Sequence, residues 1–370
     1  MLLCRALPAP RVSVLMSVYN DAPYVAQAIE SILAQTFREL ELVVVIDGST
    51  DGSREIVVGY SDPRIRVLDL ATNIGQTRAL NRGLATIESE YIARLDADDL
   101  AFPPRIERQV AWMDAHPDVA ALGVQARRID HAGRRLHRFD WRFRMWPRPR
   151  GGTAMEWYRM FDTPLVHSGA MFRRSMVCEV LGGYDERYPL EQDSDLWVRT
   201  ARRYPLANLE ERLVAYRSHA LSMTRDRARH EWNGHRERKA AIIHAAMRDV
   251  LRWDDVPLRW AQLWNSVNNS SCSPADIPEL LEVLDHCATR FFEIHPEARH
   301  DPFIARHRVS LLGRAADRVR TSDRRLALSI VPHMFACHAG TALLLFARLA
   351  VLAVFGDRAS KLWRLVAGRR

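Results

Sequence analysis

Three aspartates at the end of a short apolar run are the residues best suited to chemistry in this sequence. The run covers residues 91–95, and Asp96, Asp98 and Asp99 follow it directly. Carboxylates clustered at the carboxyl end of a strand can hold a hard divalent cation and leave positions open for phosphate oxygens. Alone, an Asp-x-Asp pattern is more typical of a solvated turn, so other motifs must decide between these interpretations.

A second acidic cluster lies at the start of a predicted helix and contains Glu191, Asp193 and Asp195. Acids are favoured there by the helix dipole alone. Asp193 and Asp195 point in different directions on a helix, so one can face a crevice while the other caps the helix or forms an ion pair. A single carboxylate near a metal-bound diphosphate suits removal of a proton from an attacking hydroxyl, as in glycosyl transfer from an activated sugar.

Predicted strands and helices alternate from residue 11 to about 124. Such alternation indicates a largely parallel sheet with helices on both faces. Ligands in these sheets bind outside the carboxyl ends of the strands. We therefore expect Tyr19, Asn20, Asp47 and the aspartates at 96–99 to converge on one crevice. The predicted strands are 12–17, 41–46, 64–70, 91–95 and 119–124, and the predicted helices cover 24–33, 49–60, 75–86 and 103–116.

The crevice has neither a dinucleotide-binding glycine fingerprint nor a P-loop. Acids that bind a nucleotide need an intervening cation, because carboxylate and diphosphate repel each other. Asp47 could accept a hydrogen bond from a base N–H, and Tyr19 could stack on that base. A helix N-cap role for Asp47 and core packing for Tyr19 remain equally open at this point.

The composition indicates a globular protein of 370 residues, enough for one large domain and a smaller one. The net charge of +8 favours a polyanionic partner. The five cysteines are scattered and lack CxxC spacing, which argues against a disulfide framework or a zinc site and favours a reducing, cytoplasmic compartment. The residues before the first strand do not look like a signal peptide.

Two stretches leave their role open. Residues 127–150 hold nine arginines with Trp141 and Trp146 among them, and could be an irregular solvated excursion or a surface for an anionic acceptor or lipid headgroup. Beyond about residue 225 the chain looks helical. Residues 342–355 are apolar except for Arg348, which is too short for a transmembrane span. The basic tail after them could lie in an anionic membrane interface or pack on the main domain.

Taken together, the motifs resemble glycosyltransferase family 2, whose members have the GT-A fold. Nine pieces in family order cover about residues 11–220. They are VSVLMSVYN at 12–20, SILAQTF at 31–37, DGSTDG at 47–52, NIG at 73–75 with Asn81, DADD at 96–99, HSGAMFR at 167–173, GGYD at 182–185, QDSDLW at 192–197 and YRSH at 216–219.

The resemblance implies a GT-A domain at 11–220, an N-terminal extension at 1–10 and a helical C-terminal region at 221–370. The fold class is α/β, with a mostly parallel sheet flanked by helices. A divalent metal, Mn²⁺ or Mg²⁺, is implied as cofactor. By position, the resemblance assigns nucleotide-sugar binding to Ser17, Tyr19, Asp47 and Asp96, metal binding to Asp98 and His219, and the general base to Asp193.

The implied reaction is an inverting transfer from a nucleotide-diphosphate sugar, expected to be a UDP-sugar, to a hydroxyl of a saccharide or lipid-linked acceptor. Resemblance to envelope-polysaccharide enzymes implies polysaccharide or glycolipid synthesis at the inner face of the plasma membrane, without nucleic acid as a partner. A non-catalytic, membrane-associated scaffold with the same fold is the alternative, although it would not need both Asp98 and Asp193. A nucleotidyltransferase is disfavoured because its glycine-rich signature is missing.

Two positions depart from the family pattern. Ile46 stands where many members carry an aspartate, and the retained Asp47 is the acid expected to face the base. Gln192 stands where many members carry a glutamate, which removes a charge beside Asp193 and leaves the pH behaviour of the base open.

Overall fold

The computed structural model describes residues 10–136, 147–219, 234–268, 271–319 and 322–342. Trp141, Trp146 and the stretch after residue 342 lie outside these residues, so the interpretations of the arginine-rich segment around the tryptophans and of the basic tail stay predictions. The described residues fall into two compact units. The first takes in those within Met1–Leu136, Met145–Gly152 and Thr163–Asp226, and the second those within Thr153–Asp162 and Arg227–Arg370.

The first unit is built on one sheet, in which eight strands of the described residues follow the order β3-β2-β1-β4-β7-β6-β8-β5. The first four strands are parallel, and β7 runs antiparallel to both of its neighbours. The strands are β1 Val12–Val18, β2 Leu40–Asp47, β3 Ile65–Leu70, β4 Tyr91–Arg94, β5 Leu100–Ala101, β6 Ala121–Asp130, β7 Met171–Arg173 and β8 Leu206–Ser218.

Helices cover this sheet because each presents an apolar face. In α1 the side chains of Val25, Ala28, Ile29 and Ile32 are buried at helical spacing. Strand β2 is buried along almost its whole length, as expected of a parallel strand covered on both faces. The helices in the first part of the chain are α1 Val25–Leu33, α2 Ser53–Val58, α3 Gln76–Leu84, α4 Arg105–Ala115, α5 Gly152–Arg159 and α6 Gln192–Ala201.

The predicted alternation of strands and helices is confirmed, with one correction in the arginine-rich segment. Residues 127–130 are not an irregular excursion, because β6 continues to Asp130 and pairs in parallel with β8 up to Ser218. Helix α2 also begins at Ser53, later than the predicted start at 49. Arg127 and Arg128 resemble loop residues in the sequence, which explains why this part of the strand was not recognised.

The second unit is helical, as predicted for the described residues beyond 225. Its core contains Trp157 and Phe161 from the 153–162 segment together with Trp264 and Phe291 from the later helices. None of the described helices is long and apolar enough to cross a membrane. The helices are α7 His235–Leu251, α8 Leu258–Asn268, α9 Ile277–Ile294, α10 Pro302–Val319, α11 Arg324–Ser329 and α12 Val331–Cys337.

A buried polar network fastens the 153–162 segment within this unit. Arg314 donates to both carboxylate oxygens of Asp162, at 3.1 and 2.7 Å, and His307 contacts the same carboxylate at 3.3 Å. Burial alone would raise the pKa of Asp162, but the charge of Arg314 and these hydrogen bonds hold it well below its ordinary value. The sequence interpretation assigned this segment to the GT-A domain, and its boundary near residue 220 lies outside the described residues.

Candidate active site

The predicted crevice lies where β4 and β8 end. Asp98 follows β4, and His219 follows β8, 121 residues later. The Asp98 Oδ2 atom lies 2.9 Å from Nε2 of His219. The two residues that the resemblance assigns to a metal are therefore neighbours in the fold.

Asp99 has a structural part in this arrangement. Its side chain is completely buried, and its Oδ1 accepts the backbone N–H of Arg217 at 2.7 Å. The Arg217 Nε donates to the backbone carbonyl of Asp98, also at 2.7 Å. Burial, with the charges of Asp98 and Asp96, raises the pKa of Asp99 well above its ordinary value. Asp99 thus joins the end of β8 to the turn that holds Asp96, Asp98 and Asp99, called the aspartate turn below. This link places His219 against Asp98.

The carboxylate of Asp96 pairs with a buried arginine. The Arg94 side chain is fully buried, and its Nη2 donates to Asp96 Oδ1, while its Nη1 donates to the carbonyl of Leu15 at 2.9 Å. The backbone N–H of Asp96 donates to the hydroxyl of Ser168 at 3.0 Å. Asp96 therefore has a fixed position at the strand end, with one carboxylate oxygen already paired.

Asp21 is a member of the site that sequence reasoning missed. Its Oδ2 accepts the backbone N–H of Tyr19 at 3.2 Å. Burial, followed by the charge of Asp98 and then that of Asp96, raises its pKa to about 7. Asp21 therefore interacts electrostatically with the carboxylates of the aspartate turn. The only sequence feature that could have indicated Asp21 is its position directly after Tyr19 and Asn20, where an aspartate is also typical of an ordinary turn.

The two residues predicted at the end of β1 lie where a nucleoside could reach them. Ser17 is half-buried within β1, and Tyr19 is 50% exposed. Core packing of Tyr19 is therefore excluded, and its ring is available for stacking. Asn20 ties this segment to the loop after β2, because its Oδ1 accepts the backbone N–H of Thr50 at 2.8 Å.

Asp47 has strong local partners. Its Oδ1 accepts the N–H of Ile74 at 2.7 Å and its Oδ2 accepts the N–H of Gly75 at 3.0 Å, immediately before α3. The side chain is almost fully buried. The alternative of a helix N-cap role is not confirmed, because Asp47 bonds to the two residues before α3 and caps neither α2 nor α3. Each oxygen keeps a lone pair for a further donor, so contact with a base remains a prediction.

Asp193 and Asp195 separate as their helical spacing predicts. Asp195 forms an ion pair with Arg199 at 2.7 Å, and Arg199 in turn donates to the carbonyl of Gly183. Asp193 lies half-buried in the first turn of α6, where its Oδ1 accepts the N–H of Ser194 at 2.7 Å. Asp195 is the structural acid of this helix, which leaves Asp193 as the candidate base.

A histidine and a tyrosine lie close to both Asp96 and α6: Ser168, the residue after His167, accepts the Asp96 N–H, and the His167 ring lies edge-on to Trp197. Nε2 of His167 is 2.8 Å from the hydroxyl of Tyr184. The charges of both Asp96 and Asp193 act on each of these side chains. Burial, with the nearby positive charge of Arg94, lowers the pKa of His167 to about 4. Both residues fall in pieces of the family resemblance, but sequence reasoning gave neither a role.

The site's ligand chemistry fits a divalent cation that is shared with a substrate. Within the described residues no three His, Cys, Asp or Glu side chains are grouped to hold a metal ion by themselves. Asp98 and His219 offer an oxygen and a nitrogen side by side. Magnesium in phosphate chemistry is usually held by one or two carboxylates plus substrate phosphates, so two side chains with open positions suffice.

Comparison with known proteins agrees with this geometry. The family model described as glycosyl transferase family 2 matches residues 13–181. An uncharacterised glycosyltransferase of Haemophilus influenzae is 30% identical over 231 residues, which cover 60% of this chain and 70% of the relative. The amylovoran biosynthesis glycosyltransferase AmsE of Erwinia amylovora is 30% identical over 228 residues, 60% of this chain and 80% of the relative. This chain belongs to glycosyltransferase family 2.

The fold of the family-2 chain also matches a solved structure. S. aureus TarS 1–349, solved in complex with UDP-GlcNAc, superposes with a TM-score of 0.52 at 16% identity, covering 90% of this chain and 88% of that one. At this identity the likeness concerns the fold alone. It confirms the predicted GT-A architecture with additional C-terminal helices.

The raised pKa of Asp21 predicts a pH-dependent cost to folding. The native state binds the Asp21 proton more tightly than the unfolded state, so stability falls as pH rises from about 4 to 7 and then levels off. Asp21→Asn keeps the acceptor for Tyr19 and removes this cost. One pKa unit corresponds to about 1.4 kcal/mol. We therefore expect the stability difference between the variant and the wild type to grow by about 1–2 kcal/mol, in favour of the variant, from pH 5 to pH 8.

Urea unfolding at both pH values, with chelator and without nucleotide, measures this gain. Asp51→Asn is the control of opposite sign. Burial would raise the pKa of Asp51, but hydrogen bonds from Ser53 and Ala22 lower it below its ordinary value. The control should therefore lose stability at pH 8. An Asp21→Asn gain that is equal at both pH values would contradict the assignment.

Proposed function

We propose that this glycosyltransferase moves a sugar from a nucleotide-diphosphate sugar, taken to be a UDP-sugar, to a hydroxyl of a saccharide or lipid-linked acceptor with inversion at the anomeric carbon. The observation that carries the proposal is the pairing of Asp98 with His219, 2.9 Å apart where β4 and β8 end. Asp193 lies in the first turn of α6. The Asp96 N–H bonds to Ser168, and the ring of the adjacent His167 lies edge-on to Trp197 of α6, which supports placing Asp96 and Asp193 along one bound substrate.

Asp193 is proposed as the general base. It lies half-buried in the first turn of α6, and its neighbour Asp195 pairs with Arg199. The hydrogen bond from the Ser194 N–H fixes one of its oxygens and so orients the group. In a direct displacement, this carboxylate takes the proton of the attacking hydroxyl as the bond to the anomeric carbon forms.

Asp98 and His219 would hold a divalent cation, Mn²⁺ or Mg²⁺. When bound, the cation stabilises the negative charge of the departing diphosphate. Arg217 supports these residues, because it fixes the Asp98 carbonyl and the end of β8 that carries His219. Asp96, paired with Arg94, would lie near the ribose or the metal.

The nucleoside is proposed to lie against the ends of β1 and β2. The exposed ring of Tyr19 supports base stacking, and Ser17 would contact the nucleoside from within β1. Asp47 would accept a base N–H through the lone pairs that its two backbone hydrogen bonds leave open.

We further propose a role in envelope polysaccharide or glycolipid synthesis, with the protein peripheral at the cytoplasmic face of the membrane. The relative named for amylovoran biosynthesis supports the polysaccharide part. A scaffold without activity is the weaker alternative, because Asp98 and Asp193 are both retained and the relatives are named as glycosyltransferases.

The base assignment predicts a loss of chemistry without a loss of binding. Asp193→Asn keeps the shape but cannot accept the proton, so turnover should fall by about 10²–10⁴-fold while donor affinity stays nearly unchanged. Release of nucleoside diphosphate from a donor panel measures turnover, and calorimetry measures affinity. Asp195→Asn is the matched control, and its turnover should fall far less. A collapse of affinity with normal turnover at saturation would make Asp193 a binding residue.

The metal assignment predicts a joint loss of turnover and nucleotide binding in Asp98→Ala. Because metal stabilisation of a leaving group is worth several kcal/mol, the rate should fall by about three decades or more. UDP binding should become insensitive to added Mn²⁺ in the variant. Asp69→Ala, which removes a surface partner of Arg54, is the control and should behave like the wild type. Full wild-type activity in excess chelator would rule the role out.

The membrane proposal rests on the residues after 342, which are apolar up to residue 355 and basic beyond it. We expect the full chain to co-sediment with anionic vesicles, and salt to weaken binding because each basic residue contributes about 1 kcal/mol near such a surface. A chain ending at Ala342 is the comparison, since Met334 is buried in the helical core and must stay. Equal partitioning of both chains would instead favour packing of the tail on the protein.

A further inference from the structure

The His167–Tyr184 pair is a polar group of the described crevice that the proposed reaction does not yet use. Tyr184 is only 2% exposed, and within the described residues its hydroxyl has His167 as its single hydrogen-bond partner. A buried hydroxyl must donate its proton to some acceptor. The acceptor at hand is Nε2 of His167, which must then carry no proton.

This hydrogen bond fixes the tautomer of the ring. With Nε2 accepting from Tyr184, a neutral imidazole carries its proton on Nδ1. The ring stays neutral near pH 7, because burial and Arg94 lower the pKa of His167 to about 4. Nδ1 has no hydrogen-bond partner in the described part of the chain, and the side chain is only partly buried. An oriented N–H donor is therefore left for a ligand.

The pair is also firmly positioned. Asn81 of α3 donates to the Tyr184 carbonyl at 2.8 Å and accepts the Tyr184 N–H at 3.1 Å. The turn that carries Tyr184 needs Gly183, whose φ is +73° and whose added Cβ would lie 3.3 Å from the Asn81 Oδ1. On the other side, the ring of Trp197 lies edge-on to His167, with ring centroids 6.4 Å apart.

The place of the ring identifies its ligand. In a direct displacement the transferred sugar lies between the base and the departing diphosphate. Asp193 is the proposed base, and Asp96 is proposed to lie near the ribose or the metal. The Asp96 N–H bonds to Ser168, the residue after His167, and the His167 ring lies edge-on to Trp197, one turn after Asp193 in α6. A group placed next to both elements would lie alongside the transferred sugar, whose outward atoms are hydroxyl oxygens.

We infer that His167 binds a hydroxyl oxygen of the transferred sugar through Nδ1–H, with Tyr184 as the positioning residue that fixes this tautomer. The inference rests on the proposed function and adds a sugar-recognition residue to it. A neutral donor suits a hydroxyl, whereas the diphosphate would be better served by a charged group. His167 therefore contributes to the choice of sugar rather than to nucleotide binding.

Two substitutions at His167 separate the two ring nitrogens. His167→Asn places an amide near the former Nδ1 and can still donate to the sugar. His167→Gln reaches the former Nε2 and keeps the contact with Tyr184 but loses the donor to the sugar. The probes are UDP, UDP-glucose, UDP-galactose and UDP-N-acetylglucosamine, titrated by calorimetry with Mn²⁺ and without an acceptor. His116→Gln, at the far end of α4 and stacked on Trp112, is the matched control.

We expect His167→Gln to lower the affinity for the preferred UDP-hexose by roughly threefold to tenfold, which corresponds to the loss of one neutral hydrogen bond. The affinity for UDP itself should stay within about twofold, and His167→Asn should recover part of the loss. The control should match the wild type throughout. Equal weakening of UDP and UDP-hexose, or a defect that appears only when an acceptor is added, would overturn the inference.

Nuclear magnetic resonance of ¹⁵N-histidine-labelled protein gives a readout that needs no substrate. The His167 signal, assigned by its loss in His167→Gln, should show the neutral Nδ1–H tautomer at pH 7. Tyr184→Phe should shift it toward a mixture of tautomers. A neutral Nε2–H form or a charged ring in the wild type would refute the inference. Absence of binding to every UDP probe, with the Nδ1–H tautomer intact, would instead count against the proposed donor.

Discussion

The structure depends on holding several carboxylates close together at one edge of a sheet. Asp96, Asp98 and Asp99 follow β4, and burial, with the charges of Asp98 and Asp96, raises the pKa of the nearby Asp21 to about 7. Such repulsion costs free energy unless positive groups offset it. Arg94 lies buried beneath Asp96, and Arg217 fastens Asp98 and Asp99 to β8. The pKa values of Asp21 and Asp99 are raised first by burial and then by the neighbouring aspartates, so some repulsion between the carboxylates remains. A cation shared with a diphosphate would offset this remainder, which is the electrostatic basis of the proposed metal position.

Helix α3 is the second element on which the crevice relies. The amides just before it hold Asp47, its first residue Gln76 accepts from Gln192 of α6, and Asn81 holds the turn at Tyr184. The helix lies directly on the sheet, since a Cβ at Gly83 would be 2.4 Å from the Leu15 side chain. One helix thus places groups proposed for the nucleoside and groups proposed for the sugar. Any shift of α3 would therefore move the groups proposed for the nucleoside and those proposed for the sugar together.

The sequence predicted the parts of this arrangement that depend on local pattern, and missed those that depend on distant partners. Buried strands such as β2 and the helix of residues 25–33 are set by the spacing of apolar residues. The nearness of Asp98 and His219 followed from family resemblance, because no spacing rule joins residues 121 positions apart. Asp21 was missed because its raised pKa comes from burial and from Asp98, neither of which is visible locally. The end of β6 was missed because its pairing with β8 decides it.

The neutrality of His167 connects the electrostatics of the crevice with its proposed chemistry. Asp96 and Asp193 favour a charged ring, whereas burial and Arg94 oppose it, and the opposing effects prevail. A charged imidazolium would bring a positive charge near Asp193 and make that carboxylate a weaker proton acceptor. The buried arginine that stabilises Asp96 therefore has a second effect, since its charge, together with burial, keeps the histidine uncharged. The same residue thus pairs with Asp96 and favours a neutral ring near the proposed base.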